Sequence, residues 1–306
     1  MTGGCGFIGS NLVRRLLAAS HEVSVIDDLS TGFRCNIEML SDSIAEASVL
    51  DIVRLAHTAD GADAIVHLAA LGSVPRSVAD PIASHNANVN GTLAVLEVAR
   101  ETGAHVLFAS SSSVYGSVKD LPRTEALPTR PMSPYGASKL AAEAYCLAYA
   151  HSYGMPVMPF RFFNVYGPRQ AAGHAYAAVI PVFIDAALRG LPLPLDGDGL
   201  QTRDFTFVDT VTGVLVDAIE RKVTYDIPVN LAIGASVSLV DVIGQLELLL
   251  GHELPIEPRP SRTGDVRASQ SLPTLFRELF PNAQVTPFEQ GLAETLEWFK
   301  ASGKYP

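Results

Sequence analysis

The chain has 306 residues, 48% of them hydrophobic and 18% charged, and a formal net charge of −10; that length buries a large core in one or two domains. A diffuse acidic balance argues against a nucleic-acid or membrane-surface partner, and no apolar run is long enough to span a bilayer. Cys5, Cys35 and Cys146 lie far apart and the histidines show no metal spacing, so reduced thiols, a cytoplasmic location and no metal are expected.

The segment TGGCGFIGS at 2–10 places glycines at Gly3, Gly6 and Gly9. Glycine permits a tight turn there and lets backbone N–H groups approach a pyrophosphate at a helix N-terminus. Alone, the spacing is a weak signal. Residues 7–19 have helical apolar spacing, and 22–26 form a β-branched run ending at Asp27 and Asp28. A carboxylate at that point accepts ribose hydroxyls and repels a 2′-phosphate, which favours NAD over NADP. Asp51 and Ile52 follow another short run and are a candidate cover for the adenine. A buried-strand pattern spans 62–69, a helix is expected over 88–100 before Gly103, and a strand over 105–109. A helix over 133–153 and a strand over 156–163 follow. Strands separated by helices imply an α/β fold, a doubly wound parallel sheet with helices on both faces.

After Asn164 the pattern is less regular. Helices are expected over 178–189, 239–250 and 288–300, with a Pro/Gly-rich stretch over 191–199. The expected division is a cofactor domain over 1–165, with 204–232 returning to its sheet, and a smaller discontinuous α/β region over 166–306. In such a sheet the strand before the glycine turn is central. Met1 stands directly before Thr2, so this first strand is missing from the pattern. The natural chain is therefore expected to begin upstream, and this form to melt lower and bind less NAD than an extended one.

Tyr135 and Lys139 form a YxxxK pair, and on a helix residues four apart share a face. The ammonium can then stabilise the phenolate. An unperturbed phenol titrates near ~10, so a base working at neutral pH needs such a shift. YxxxK alone is common on surface helices. Here it is preceded by FASSSSVYG at 108–116, a serine cluster at the end of an expected strand. A serine-rich turn alone is usually only a turn.

Taken with RFFNVYGPRQ, QTRDFTFV and RTGDVR further on, these segments resemble the extended short-chain dehydrogenase/reductase family, the NAD-dependent epimerases and dehydratases, over nearly the whole chain. The resemblance implies a Rossmann-type NAD domain and a smaller nucleotide-sugar domain. It implies a catalytic trio of Ser111, Tyr135 and Lys139. It places NAD against Gly3, Gly6, Phe7, Ile8, Gly9, Asp27, Asp28, Asp51, Ile52, Leu68, Ala69, Ala70, Asn88, Tyr135 and Lys139. Related dehydratases carry acids where Ser112 and Ser113 stand, and decarboxylases a Glu at the Ser113 position. Serine at both points to hydride removal and return, which is epimerisation.

For the substrate, a UDP-sugar, the resemblance implies contacts from Gly72, Ser111, Ser113, Asn164, Gln170, Ala178, Val179, Arg203, Arg262, Asp265 and Ser269. Guanidinium groups suit its phosphates because they bind bidentately. LGSVPRS at 71–77, Arg169-Gln170 and AYAAVIP at 175–181 are similar to the UDP-N-acetylglucosamine 4-epimerase subgroup. Ser269 stands where glucose-only epimerases carry a tyrosine, which leaves room for an N-acetyl group. A homodimer is expected through the helices near 88–100 and 133–153, where Ala141, Ala142, Ala144 and Ala148 permit close approach. Three alternatives stay open: a UDP-glucuronate 4-epimerase, a net oxidoreductase releasing NADH, and a non-catalytic or truncated nucleotide-binding homologue.

Overall fold

The computed structural model describes residues 1–37, 44–173, 177–261 and 266–302. The glycine turn leads into α1 (Phe7–Ala18), then β1 (Val25–Asp27), β2 (Ile44–Glu46), α2 (Ile52–Thr58), β3 (Ala64–His67), α3 (Val74–Ala79), α4 (Pro81–His85), α5 (Gly91–Thr102), β4 (His105–Ser111), α6 (Pro134–Tyr153) and β5 (Val157–Phe162). Next come β6 (Asn164–Tyr166), α7 (Val179–Leu188), β7 (Leu193–Asp196), β8 (Thr202–Arg203), β9 (Phe205–Phe207), α8 (Val208–Glu220), β10 (Val229–Leu231) and β11 (Val237–Ser238). The chain closes with α9 (Leu239–Leu250), β12 (Ile256–Arg259), β13 (Ala268–Ser269), α10 (Thr274–Leu279) and α11 (Phe288–Ser302). This is a parallel-sheet, Rossmann-like α/β fold.

β3, β4, β5 and β10 form one parallel sheet in the order β10-β5-β4-β3, and β1 pairs in parallel with β2. Thr2 joins the two halves, bridging Ile26 on one side and His67 on the other. Its N–H donates to the Val66 carbonyl and its own carbonyl accepts from Leu68. Met1–Gly3 thus occupy the place of a strand between β1 and β3. A cavity of about 410 Å³ runs on from Met1 between residues 22–26 and 62–66.

Helices cover both faces of the sheet. On one, Leu12 and Leu16 of α1 pack with Val211 and Leu215 of α8 over Leu107 and Phe160. On the other, Val95, Leu96 and Ala99 of α5 and Ala142 and Cys146 of α6 pack over Ile65, Val106 and Val157. A separate core joins α7, α9 and α11 with β7 and β9 around Phe183, Leu246 and Leu292. α9 forms where its apolar spacing ends in strong caps: a Ser238–Asp241 capping box in front and left-handed Gly251 behind.

The structure departs from the expected elements in two places. The helix expected from 88 is preceded by a π turn at Asn86–Asn90, whose extra residue turns Asn88 inward. The Pro/Gly-rich stretch over 191–199 contains β7, paired in parallel with the exposed β12. Prolines read as loop signals, yet Pro194 is tolerated in this two-stranded ribbon.

Candidate functional site

The glycine turn is shaped by close backbone contact. Gly3 has φ +70°, and a Cβ on Gly9 would lie 2.2 Å from the Gly3 carbonyl oxygen and 2.7 Å from Gly4 Cα. Those neighbours are backbone and cannot step aside. Gly9→Ala is therefore expected to cost about 1–3 kcal/mol by overpacking, lowering both Tm and NAD recovered per chain. A variant with unchanged Tm and NAD content would contradict this.

The turn opens into a cavity of about 560 Å³ lined by Gly3, Gly6, Phe7, Ile8 and Gly9, then by Asp27, Asp28, Ser30 and Thr31. Asp27 is buried; its oxygens accept from the backbone N–H groups of Cys5 (2.8 Å) and Leu29 (2.9 Å). Each oxygen keeps a second lone pair for a ribose hydroxyl. Leu68, Ala69, Ala70 and Gly72 form the wall after β3. The floor at the other end is Ser111, Tyr135 and Lys139.

Each member of that trio is placed by a separate element. Ser111 ends β4, and its hydroxyl accepts from the Ser113 N–H and shares a hydrogen bond with the Tyr135 phenol. Tyr135 opens α6 behind the Ser133 N-cap, and its N–H donates to the buried Ser77 hydroxyl, 3.0 Å away. Lys139 lies one turn on, 4% exposed, with Nζ donating to the Ala109 carbonyl at 2.8 Å. Burial pushes the Tyr135 phenol up, only partly opposed by Ser111, and pulls Lys139 down to about 8. The sequence spacing implied that Lys139 lowers the phenol. In the structure Lys139 reaches the Ala109 carbonyl of β4, and burial is the largest cause of both shifts.

Three expected cofactor positions, Asp51, Ile52 and Asn88, are not among the residues that line this cavity. Asp51 caps α2, accepting from the Arg54 N–H, and Asp51 and Ile52 are outside the cavity; Ser48, Val49 and Leu50 line it instead. Asn88 is also outside the lining, which Asn86 and Ala87 supply. Its amide oxygen accepts from Leu71, and its nitrogen donates to the Ser138 hydroxyl, which donates to the Tyr135 carbonyl. Asn88 thus clamps the cavity wall onto α6. Ser77 and the π turn were missed as site features; the 71–77 segment was the available signal for Ser77.

A second cavity of about 640 Å³ meets the first at Val165 and Gln170. Asn164, Gln170, Ala178, Val179 and Arg203 line it, together with Arg189, Pro194, Asp196 and Arg259. Ser113 lines neither cavity. Ser269 is buried and pairs in parallel register with Arg203, so the two side chains share a face of that small sheet. Arg262 and Asp265 lie outside the described residues. Asp204, fully buried beside Arg203, accepts from the N–H groups of Gly234, Ala235 and Ser271, and fixes this corner. Burial holds its carboxyl up at about 6.

The first cavity fits NAD. Its glycine contact leaves space only for backbone at a helix N-terminus, and a 2′-phosphate would meet Asp27 and Asp28. Among the described residues no group of His, Cys, Asp and Glu could hold a metal ion, and no helix is long and apolar enough to cross a membrane.

Known proteins are similar to this chain in sequence and fold. The chain is 36% identical to a UDP-glucose 4-epimerase of Mycolicibacterium smegmatis, covering 98% of this chain and 97% of the relative. It is 33% identical to a UDP-N-acetyl-alpha-D-glucosaminuronate decarboxylase of Bacillus cytotoxicus, with the same two coverages. Its fold superposes on a UDP-N-acetylglucosamine 4-epimerase of Methanobrevibacter ruminantium M1, in complex with UDP-N-acetylmuramic acid, with a TM-score of 0.93 at 33% identity. That superposition covers 98% of this chain and 97% of the other. A family profile, NAD dependent epimerase/dehydratase, matches residues 1–234. With that match and these identities, the chain belongs to the NAD-dependent epimerase/dehydratase family of enzymes.

Proposed function

We propose that the protein is a UDP-hexose 4-epimerase, acting on UDP-N-acetylglucosamine and UDP-N-acetylgalactosamine and also on UDP-glucose and UDP-galactose. The observation that carries this reading is the chemistry around Ser111. Among the described residues, the carboxylates lining the two cavities are Asp27, Asp28, Asp185 and Asp196. None comes from β4, from the turn after it or from α6, which hold Ser111 and Tyr135. Elimination of water calls for a carboxylic acid there, and the site offers only hydroxyls and an ammonium.

Tyr135 takes the proton of the 4-hydroxyl as carbon 4 gives up its hydride, and Ser111 holds that oxygen by a hydrogen bond. NAD⁺ held by the glycine turn and Asp27 would supply hydride acceptance and donation at carbon 4. Lys139, buried beneath the pair, places positive charge where the phenol gives up its own proton. Asn164 and Arg203 hold the pyrophosphate while the 4-keto sugar turns to present its other face, and Tyr135 returns the proton to the oxygen on carbon 4. Strong anchoring of the nucleotide beside a roomy sugar site suits this sequence, because binding energy remote from carbon 4 holds the intermediate.

Ser269 is the proposed gate for the carbon 2 substituent. Ser269→Tyr is expected to suppress turnover of UDP-N-acetylglucosamine and spare UDP-glucose, as measured by initial rates on each sugar. Equal losses on both would remove the gate. A homodimer completes the proposal. Ala142 is buried inside the subunit, but Ala144, Tyr145, Ala148 and Tyr153 on α6 are exposed, which leaves a face for a second copy. Incubating the purified protein with a panel of UDP-sugars and separating the epimers tests the reading. Interconversion of the 4-epimers is expected; loss of water or carbon dioxide would overturn it.

A further inference from the structure

Behind the trio lies a second polar cluster, wholly inside the protein. Glu143 of α6 is 3% exposed and Arg161 of β5 is 4% exposed. Arg161 Nε donates to Glu143 Oε2 at 3.0 Å, and Nη2 donates to Oε1 at 2.7 Å. The Ser110 hydroxyl donates to the same Oε2 at 2.6 Å. Arg161 Nη1 donates to the Tyr115 hydroxyl (2.9 Å), which donates to Asn230 Oδ1 (2.7 Å). One carboxylate therefore ties α6 to both β4 and β5, and the guanidinium carries the tie on to β10.

Stability does not explain this pair. Removing two charges from water is costly, and well-packed apolar residues of similar volume are often as good or better. What the pair offers is a fixed distance, because two parallel N–H···O bonds tolerate little sliding. Tyr135, Lys139 and Glu143 recur every four residues, so they share one stripe of α6. Ser110 adjoins Ser111. A one-residue slip of α6 would move Tyr135 about 1.5 Å along the helix axis, and a misplacement of about 1 Å can cost roughly 10²-fold in rate.

We propose that Glu143 and Arg161 are positioning residues that hold Tyr135 and Lys139 in register with Ser111. The role rests on the reading of that trio given above. The test uses the full chain with its NAD and three variants: Glu143→Gln, Ser110→Ala, and the double change Glu143→Met with Arg161→Met. The readouts are kcat, KM for the UDP-sugar that the wild type converts, NAD per chain and Tm. For Glu143→Gln, kcat falls about 10–100-fold with KM and NAD content unchanged. The apolar double variant regains wild-type Tm yet keeps the low kcat. Should Glu143→Gln fail to fold, the double variant and Ser110→Ala carry the test, the latter with a several-fold lower kcat at constant KM. A double variant with wild-type Tm and wild-type kcat overturns the positioning role alone. Wild-type protein inert toward every UDP-sugar overturns the reading of the site, and this role with it.

Discussion

Tyr135→Phe is expected to cut turnover about 10²–10⁴-fold, the contribution typical of a general acid–base group, while NAD stays bound. The aromatic ring, its packing and the helix N-terminus all survive the change. Only the hydroxyl shared with Ser111 is lost. Turnover and NAD content therefore separate in this variant. Retention of most of the activity would show that another group moves the proton, and loss of NAD would show that the phenol acts mainly in binding.

Lys139→Met is expected to have opposite effects on activity and stability. Turnover falls by a comparable factor, because the buried charge beside Tyr135 is removed. Stability of the NAD-free protein rises at pH 7. Burial lowers the lysine from 10.5 to about 8, so the native state holds its proton less readily than the unfolded chain. Below pH 8 the full cost of the buried charge applies, on the order of 3 kcal/mol. As pH rises from about 8 to 10.5 the native lysine is neutral while the unfolded one is still charged, and the cost fades. The hydrogen bond to the Ala109 carbonyl returns about 1 kcal/mol of this. Melting curves of both proteins across pH should show the variant ahead at pH 7 and the gap closing by about pH 10.5. A wild type that melts higher at pH 7 would refute the assignment of a strained, functional charge to Lys139. Natural sites commonly give up stability for activity in this way.

Much of this was legible in the chain because the signals are local. The glycine spacing at 3–9, the helical pattern over 239–250 and the four-residue step from Tyr135 to Lys139 each depend on neighbours in sequence. What stayed hidden depends on partners far apart. Glu143 and Arg161 meet only because α6 lies across β5. Asn88 lies in a π turn and bonds to Leu71 and Ser138, partners that its place in the sequence does not mark. Asp51 caps α2 directly after the lining residue Leu50, a boundary that the sequence does not mark to within one or two residues. The behaviour of Lys139 needed the depth of its burial, which a helical face alone does not give.

Hydride removal and return at a single carbon is the core of the account, and an isotope at that carbon tests it most directly. UDP-N-acetylglucosamine carrying deuterium at carbon 4 is incubated with the protein, and the products are followed by NMR. The account predicts UDP-N-acetylgalactosamine with the deuterium still on carbon 4, inverted in configuration and not exchanged with water. Deuterium transferred to carbon 6 with loss of water, or a stable 4-keto sugar accompanied by released reduced cofactor, would contradict it.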